Sequence, residues 1–244
     1  MYILKPYIFN QYPEIVFGLS TKIGGTQNSS FEFNLSYSIG DEPGLVEHNR
    51  KLFLNAIGLD INSVAFQNQI HSGIIKIVGS AGNNGESDAL ITNKKNLGLG
   101  IIVADCTPIF IYDFKEKVIA AVHSGWRGTE QKILLNTLQK LKSEFNSQME
   151  NIIAYVGPSI SAINYEVGAE VAQKFESKYV IKKDGKYFLD VSECNYDMLL
   201  DSGIPQNQIQ KSNLCTYEFK TLFHSYRRDG QKSGRSLGVI AIKE

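Results

Sequence analysis

Two apolar runs, Ile109-Phe110-Ile111-Tyr112-Asp113 and Val118-Ile119-Ala120-Ala121-Val122, are separated only by Phe114-Lys115-Glu116-Lys117. β-Branched and aromatic residues dominate both, and a link this short joins adjacent antiparallel strands. A symmetric turn sets Asp113 against Val118, Ile109 against Val122 and Pro108 against His123. Cys106 then stands just off the open end of the hairpin, beside His123, although the two lie seventeen positions apart. Strand pairing alone therefore brings a thiol and an imidazole together. They belong to the segments Ala104-Asp105-Cys106-Thr107-Pro108 and His123-Ser124-Gly125-Trp126-Arg127-Gly128.

The remaining periodicities place this hairpin in a mixed α/β (α+β) chain, read as one domain over 1–244. Strands are expected over 15–20, 64–71, 97–104, 152–156, 187–189, 209–214 and 237–242. A loop is expected over 24–30. Helices are expected over 44–56, 129–145, 168–175 and 192–200. In the second of these, Leu134, Leu138, Leu141 and Phe145 fall on one stripe. Asn83-Asn84-Gly85 reads as a turn. Strands outnumber helices, and a hairpin interrupts any parallel pattern, so the sheet is expected to be mixed with flanking helices.

Composition excludes several classes of function. The 25 basic and 25 acidic residues balance, which gives no support to a general nucleic-acid binder. No stretch approaches the roughly 20 apolar residues of a membrane helix. The start, Met1-Tyr2-Ile3-Leu4-Lys5-Pro6, lacks the features of a secretion signal, so a cytoplasmic location is the expectation. Three cysteines (Cys106, Cys194 and Cys215) are too few and too scattered for a disulfide framework, which leaves them as free thiols. Cys194 and Cys215 have no evident histidine or acidic companion and read as structural. His48, beside Asn49 and Arg50, reads as an exposed helix residue.

A buried cysteine closing an apolar strand is by default a small hydrophobe. Asp105 beside it, Pro108 after it and His123 across from it argue for chemistry instead, as a thiolate–imidazolium nucleophile or a shared metal. His71, at the end of a strand and followed by Ser72-Gly73, is the natural third member. One cysteine and two histidines leave a tetrahedral zinc its fourth position, the mark of a catalytic rather than a closed site. Arg127, in a glycine-flanked turn feeding a helix, offers an oxyanion grip at a helix N-terminus. Arg227, Arg228 and Arg235, in Ser225-Tyr226-Arg227-Arg228-Asp229-Gly230 and Ser233-Gly234-Arg235, form a second candidate anion loop. Trp126 reads equally as a pocket wall or as core.

These segments together resemble the YfiH-like family, whose members also carry laccase-domain, multicopper polyphenol oxidase and peptidoglycan editing factor labels. The resemblance rests on Ala104-Asp105-Cys106 with its following proline, His123 to Gly128, Gln69-Ile70-His71, and Tyr226 to Gly230 with Gly234-Arg235. Phe33-Asn34-Leu35, Gly40 to Pro43, Asn49-Arg50, Asp88 to Thr92, and Gly157-Pro158 with Tyr165 to Gly168 also fit. It spans about 17–242. It implies a fold akin to the catalytic domain of cytotoxic necrotizing factor toxins and a zinc held by His71, Cys106 and His123. It further implies phosphorolysis of adenosine, inosine, guanosine and 5′-methylthioadenosine, together with adenosine deamination. Ser161, where glycine is usual, and His224, where an aromatic is common, depart from the pattern and are expected to alter the pocket rim.

Under that reading the partners are a small-molecule nucleoside and phosphate, with no nucleic acid and no membrane; oligomeric state is left open. Cys106, His123 and Asp105 are the expected catalytic residues, with Asp105 as a proton carrier. Arg127, Arg227 and Arg228 are expected to bind substrate. Two alternatives use the same residues: a Cys–His hydrolase or amidase acting in peptidoglycan precursor editing, and a copper-binding polyphenol oxidase. A multicopper oxidase needs roughly ten histidines and this chain has four, although a single Cu(I) suits the same soft ligands.

Overall fold

The expected hairpin forms with the expected register: Pro108 faces His123, Ile109 faces Val122 and Asp113 faces Val118. The computed structural model describes residues 1–25 and 30–244, so the middle of the loop expected over 24–30 lies outside the described residues. In chain order the strands are β1 (Ile3–Leu4), β2 (Ile15–Ser20), β3 (Val64–Asn68), β4 (Ile75–Ile77), β5 (Gly82–Glu86), β6 (Ala89–Thr92), β7 (Gly98–Val103), β8 (Thr107–Asp113), β9 (Val118–Ser124), β10 (Ile152–Val156), β11 (Glu166–Val167), β12 (Val180–Lys183), β13 (Lys186–Leu189), β14 (Ile209–Lys211) and β15 (Ser236–Ile242). The helices are α1 (Pro43–Ala56), α2 (Trp126–Glu130), α3 (Ile133–Phe145), α4 (Ala169–Ala172), α5 (Val191–Asp201) and α6 (Tyr226–Asp229).

Two mixed sheets lie face to face, in the orders β1-β2-β15-β7-β3-β5 and β14-β10-β8-β9-β6-β4; a small sheet β11-β13-β12 stands apart. Both large sheets combine parallel and antiparallel neighbours. Alternation along single strands builds three core layers. In β8, Phe110 and Tyr112 point between the sheets to meet Phe17, Leu99 and Ile240. Ile109 and Ile111 point the other way, onto Leu134, Leu138 and Leu141 of α3 and Leu199 of α5. In β15, Val239 and Ala241 pack outward on Phe53 and Leu54 of α1. Strands buried on both faces have no solvent side to carry polar residues, hence their continuous apolar runs.

Three expectations are corrected. Asn83-Asn84-Gly85 does not turn the chain but lies within β5, parallel to β3, where the register slips between Phe66 and Asn68. Gly85, at φ +76°, uses the same left-handed freedom for a bulge rather than a turn. The helix expected over 129–145 is two helices, because Lys132 at φ +58° breaks the run between α2 and α3. The strand expected over 64–71 ends at Asn68, which frees His71 from sheet pairing. Among the described residues no helix is long and apolar enough to cross a membrane.

Candidate metal centre and cavity

Cys106 sits in the tight link between β7 and β8, immediately before the hairpin. The preceding residue, Asp105, holds φ +81°, which aspartate tolerates better than most residues, and its carbonyl accepts from Ile160 N. His123 is the penultimate residue of β9, and His71 enters from the segment after β3 with φ +58°. Two residues of the centre thus hold left-handed backbone, a cost that persists only where surrounding bonds enforce it.

At His71 the enforcing group is Asp88, fully buried immediately before β6. Its Oδ1 accepts from His123 Nδ1 at 2.8 Å and from His71 N at 3.1 Å. Its Oδ2 accepts from Ser72 N at 2.6 Å, Ser72 Oγ at 2.8 Å and Ile70 N at 3.3 Å. One carboxylate therefore fixes both the His71 turn and the His123 ring. Burial alone would raise the Asp88 pKa, but the His123 and Ser72 hydrogen bonds outweigh it and hold it below the usual aspartate value. With Nδ1 taken by Asp88, His123 has Nε2 left for Cys106.

Cys106 Sγ lies 3.8 Å from His71 Nε2, the two imidazole rings meet edge to face at 4.9 Å, and the three donor atoms lie within 4.8 Å of one another. A tetrahedral ion with normal Zn–S and Zn–N bonds wants such donors roughly 3.4–3.6 Å apart, so the set must draw together on binding, by little at the Cys106–His71 pair. Gly125 lines the cradle, where an added Cβ would stand 2.9 Å from Cys106 Sγ and 3.3 Å from His71 Cδ2. The set thus fits a metal: a soft thiolate, two imidazoles, a carboxylate orienting one of them, and no side chain filling the gap.

Burial would push the Cys106 thiol up, but the facing His123 and His71 bring it down to about 6. Burial would likewise lower the His123 pKa, yet the Cys106 thiolate and Asp88 raise it to about 9. Each group favours the charged form of the other, thiolate beside imidazolium. The thiolate is the form a metal binds.

The centre opens into a cavity of about 1190 Å³ whose lining includes Trp126, Arg127, Tyr165, Arg227, Arg235 and Arg50. Arg127 is exposed and stacks on Trp126, with its guanidinium carbon 4.5 Å from the ring centroid. The expected helix N-terminus behind it contributes little, because α2 is five residues long and a dipole builds over several turns. Arg227 lines the cavity over Tyr165 and donates from Nη1 to Glu166 O.

Other expected residues have different work. Arg228 does not line the cavity. Its guanidinium is committed to the carbonyls of Thr216, Tyr217 and Phe223 and to Asp229, which closes the loop instead of binding a ligand. Asp105 faces the cavity, but its oxygens accept from Thr216 Oγ1 at 2.6 Å and from Arg227 N at 2.7 Å. Its carboxylate thereby ties the Arg227 loop to the Cys106 turn. Neither Ser161 nor His224 reaches the rim. Ser161 donates to Cys215 Sγ, and His224 is buried against Gly234 with Nε2 3.3 Å from Phe33 O. His48 is exposed on α1, and Cys194 is packed with Val171 and Leu189.

Asp88 is the residue that sequence reasoning passed over. It entered only within the Asp88-Ala89-Leu90-Ile91-Thr92 match, and no spacing rule links it to a histidine 35 positions away.

Residues 16–243 match the family described as multi-copper polyphenol oxidoreductase laccase. A protein named purine nucleoside phosphorylase from Bacteroides thetaiotaomicron is 34% identical over 252 residues, covering 96% of this chain and 93% of its own. Another of that name, from Clostridium acetobutylicum, is 38% identical, covering 88% and 90%. Among solved structures, the Bacillus licheniformis hypothetical protein YfiH superposes with TM-score 0.91 at 30% identity, covering 99% of this chain and 96% of that one. YlmD from Geobacillus stearothermophilus gives 0.88 at 26% identity, covering 96% and 93%.

Proposed function

The chain belongs to the multi-copper polyphenol oxidoreductase laccase family, and from that premise we propose that it is a zinc-dependent purine nucleoside phosphorylase. Its substrates are adenosine, inosine, guanosine and 5′-methylthioadenosine, and it deaminates adenosine in the same cavity. The observation that carries the reading is the His71–Cys106–His123 set, held by Asp88 and opening into a large arginine-lined cavity, in a chain similar to proteins named for this activity.

His71, Cys106 and His123 would hold the zinc, which when bound supplies Lewis acidity at the open face of the set. Trp126 and Tyr165 offer flat apolar walls on which a purine can stack. Arg127 has no protein acceptor among the described residues, so its fork is free to hold an oxyanion at the cavity mouth. Asp105 keeps the Arg227 loop, and with it the Tyr165 wall, in place. In phosphorolysis the C1′–N bond breaks as a phosphate oxygen bonds C1′. The base leaves with the bonding pair and takes up a proton. Inosine and phosphate given to the purified protein are expected to yield hypoxanthine and ribose 1-phosphate. No product above that of a Cys106→Ala control refutes the reading.

The ligand supply does not suit a multicopper oxidase. Of the four histidines, His48 and His224 stand away from the centre, and His71, Cys106 and His123 form the one cluster of three among the described residues. A hydrolase or amidase reading has one observation in its favour: Cys106, His123 and Asp88 line up as nucleophile, base and orienting acid. Trapping of an acyl-enzyme on Cys106 by metal-free protein would establish it in place of the metal reading.

A further inference from the structure

Four of the five arginines of the chain stand at the cavity. Arg50, Arg127, Arg227 and Arg235 line it, and Arg228 braces the loop behind. Among the described residues no lysine lines it and Asp105 is its one carboxylate, so a chain with no net charge concentrates planar cations in a single place. These arginines are not equivalent. Arg227 gives Nη1 to Glu166 O, and Arg235 gives Nη1 to Ser233 O and Gly234 O. Arg127 is exposed to water.

Arg50 differs from all of them. It projects from α1 and is only 9% exposed. Its Nε donates to Leu35 O at 2.7 Å. The rings of Tyr37 and Phe66 cover it, each centroid 4.4 Å from the guanidinium carbon. Phe66 can lie there because Gly100 has no Cβ, which would meet the ring at 2.7 Å. Nη1 and Nη2 have no acceptor among the described residues, and no carboxylate pairs with the group. Burial lowers the Arg50 pKa to about 10, which still leaves it a cation at neutral pH. A desolvated cation without a counter-ion is costly, and one whose rings and Nε are already occupied has only its Nη edge to offer. Two in-plane donors on that edge match two oxygens of one oxyanion. Ser36 and Ser38, which flank Tyr37 and bond each other through their hydroxyls, line the same cavity.

We propose that the Nη1/Nη2 edge of Arg50 is an oxyanion subsite of the cavity, built for a phosphate group. The phosphate is either inorganic or carried as an ester on the nucleoside. This rests on the phosphorolysis reading and deepens it by naming where the phosphate group is held inside the cavity, with Arg127 left at its mouth.

The test is calorimetric titration of the full chain with inorganic phosphate, with inosine 5′-monophosphate and with inosine, comparing wild type, Arg50→Gln, Arg50→Lys and Arg127→Gln. Loss of the fork is expected to weaken phosphate or the monophosphate by about tenfold or more in Arg50→Gln, and by less in Arg50→Lys, which keeps the charge. Inosine is expected to change by no more than about threefold, since a neutral ligand draws nothing from the charge. Arg50 dependence of inorganic phosphate identifies the free anion as the occupant, and dependence of the monophosphate alone identifies the ester. Should Arg50→Gln fold poorly, the rise in melting temperature with phosphate, present in wild type and reduced in Arg50→Lys, gives the same answer. The proposal falls if wild type binds neither anion, if inosine weakens as much as the anions, or if only Arg127→Gln loses phosphate. Arg50-dependent anion binding without phosphorolysis refutes the enzymatic reading alone. Phosphorolysis with an unchanged phosphate KM in Arg50→Gln, together with unchanged affinity for the monophosphate, refutes this one alone.

Discussion

Replacing Asp88 by asparagine tests whether one buried carboxylate organises the metal centre. The native group accepts five hydrogen bonds, two on Oδ1 and three on Oδ2. An amide keeps one acceptor and turns the other into a donor. With the oxygen kept at Oδ1, the new NH₂ confronts Ser72 N and Ile70 N, and only Ser72 Oγ can rotate to accept. With the oxygen at Oδ2, the NH₂ confronts His71 N and forces His123 to accept at Nδ1. That tautomer puts a proton on Nε2, the nitrogen needed for a metal. Either way at least two charge-assisted bonds are lost, each worth about 1.5–3 kcal/mol. The expected destabilisation is about 3 kcal/mol or more, or roughly 6–12 °C in melting temperature for a chain of this size. Zinc affinity is expected to fall about 10- to 100-fold, as for other groups that orient a ligating histidine. Competition against a chromophoric chelator measures the affinity, and thermal unfolding of the metal-free protein measures the stability. Ser72→Ala separates the two effects, because it removes one bond to Oδ2 and leaves His123 untouched. It should cost about 1.5–3 kcal/mol with zinc affinity unchanged. A stability loss in Asp88→Asn with wild-type zinc affinity would refute the reasoning, because Asp88 would then serve the fold alone.

Two further outcomes are expected. Gly125→Ala drives a Cβ to 2.9 Å from Cys106 Sγ. It should fold cooperatively yet fail to bind zinc stoichiometrically by elemental analysis, and full zinc occupancy at wild-type affinity would contradict the cradle. His224 is buried as the neutral imidazole, and burial lowers its pKa from 6.5 to about 4. Above pH 6.5 neither state binds the proton and the group is without effect. As pH falls from 6.5 to 4 only the unfolded chain takes it up, so stability drops by up to about 3 kcal/mol. Urea midpoints at pH 7, 5.5 and 4.5 should therefore converge for wild type and His224→Gln relative to a shared slope from other groups. Identical slopes for both proteins would sink the assignment.

The central hairpin was readable because its determinants are local. A four-residue link and two runs of strand formers fix a register of seven pairs, and Cys106 and His123 come with it. The continuous apolar runs likewise announced strands covered on both faces. Patterns that depend on a single residue's backbone were misread. Lys132 ended a helix inside an otherwise unbroken periodicity, and Gly85 made a bulge where Asn-Gly suggested a turn.

What the tertiary structure alone decided is which polar groups have partners. The sequence names five arginines, but only packing shows that Arg228 is spent on carbonyls and that Arg50, under two aromatic rings, has Nη1 and Nη2 without an acceptor among the described residues. Asp88 reaches His123 because β6 pairs with β9, and it reaches Ser72 through the turn between β3 and β4. Periodicity and turn chemistry act over a few residues, so a sequence states them openly. The pairing of a buried charge is a contest among groups far apart in the chain, settled only once the sheets have stacked and water has been excluded.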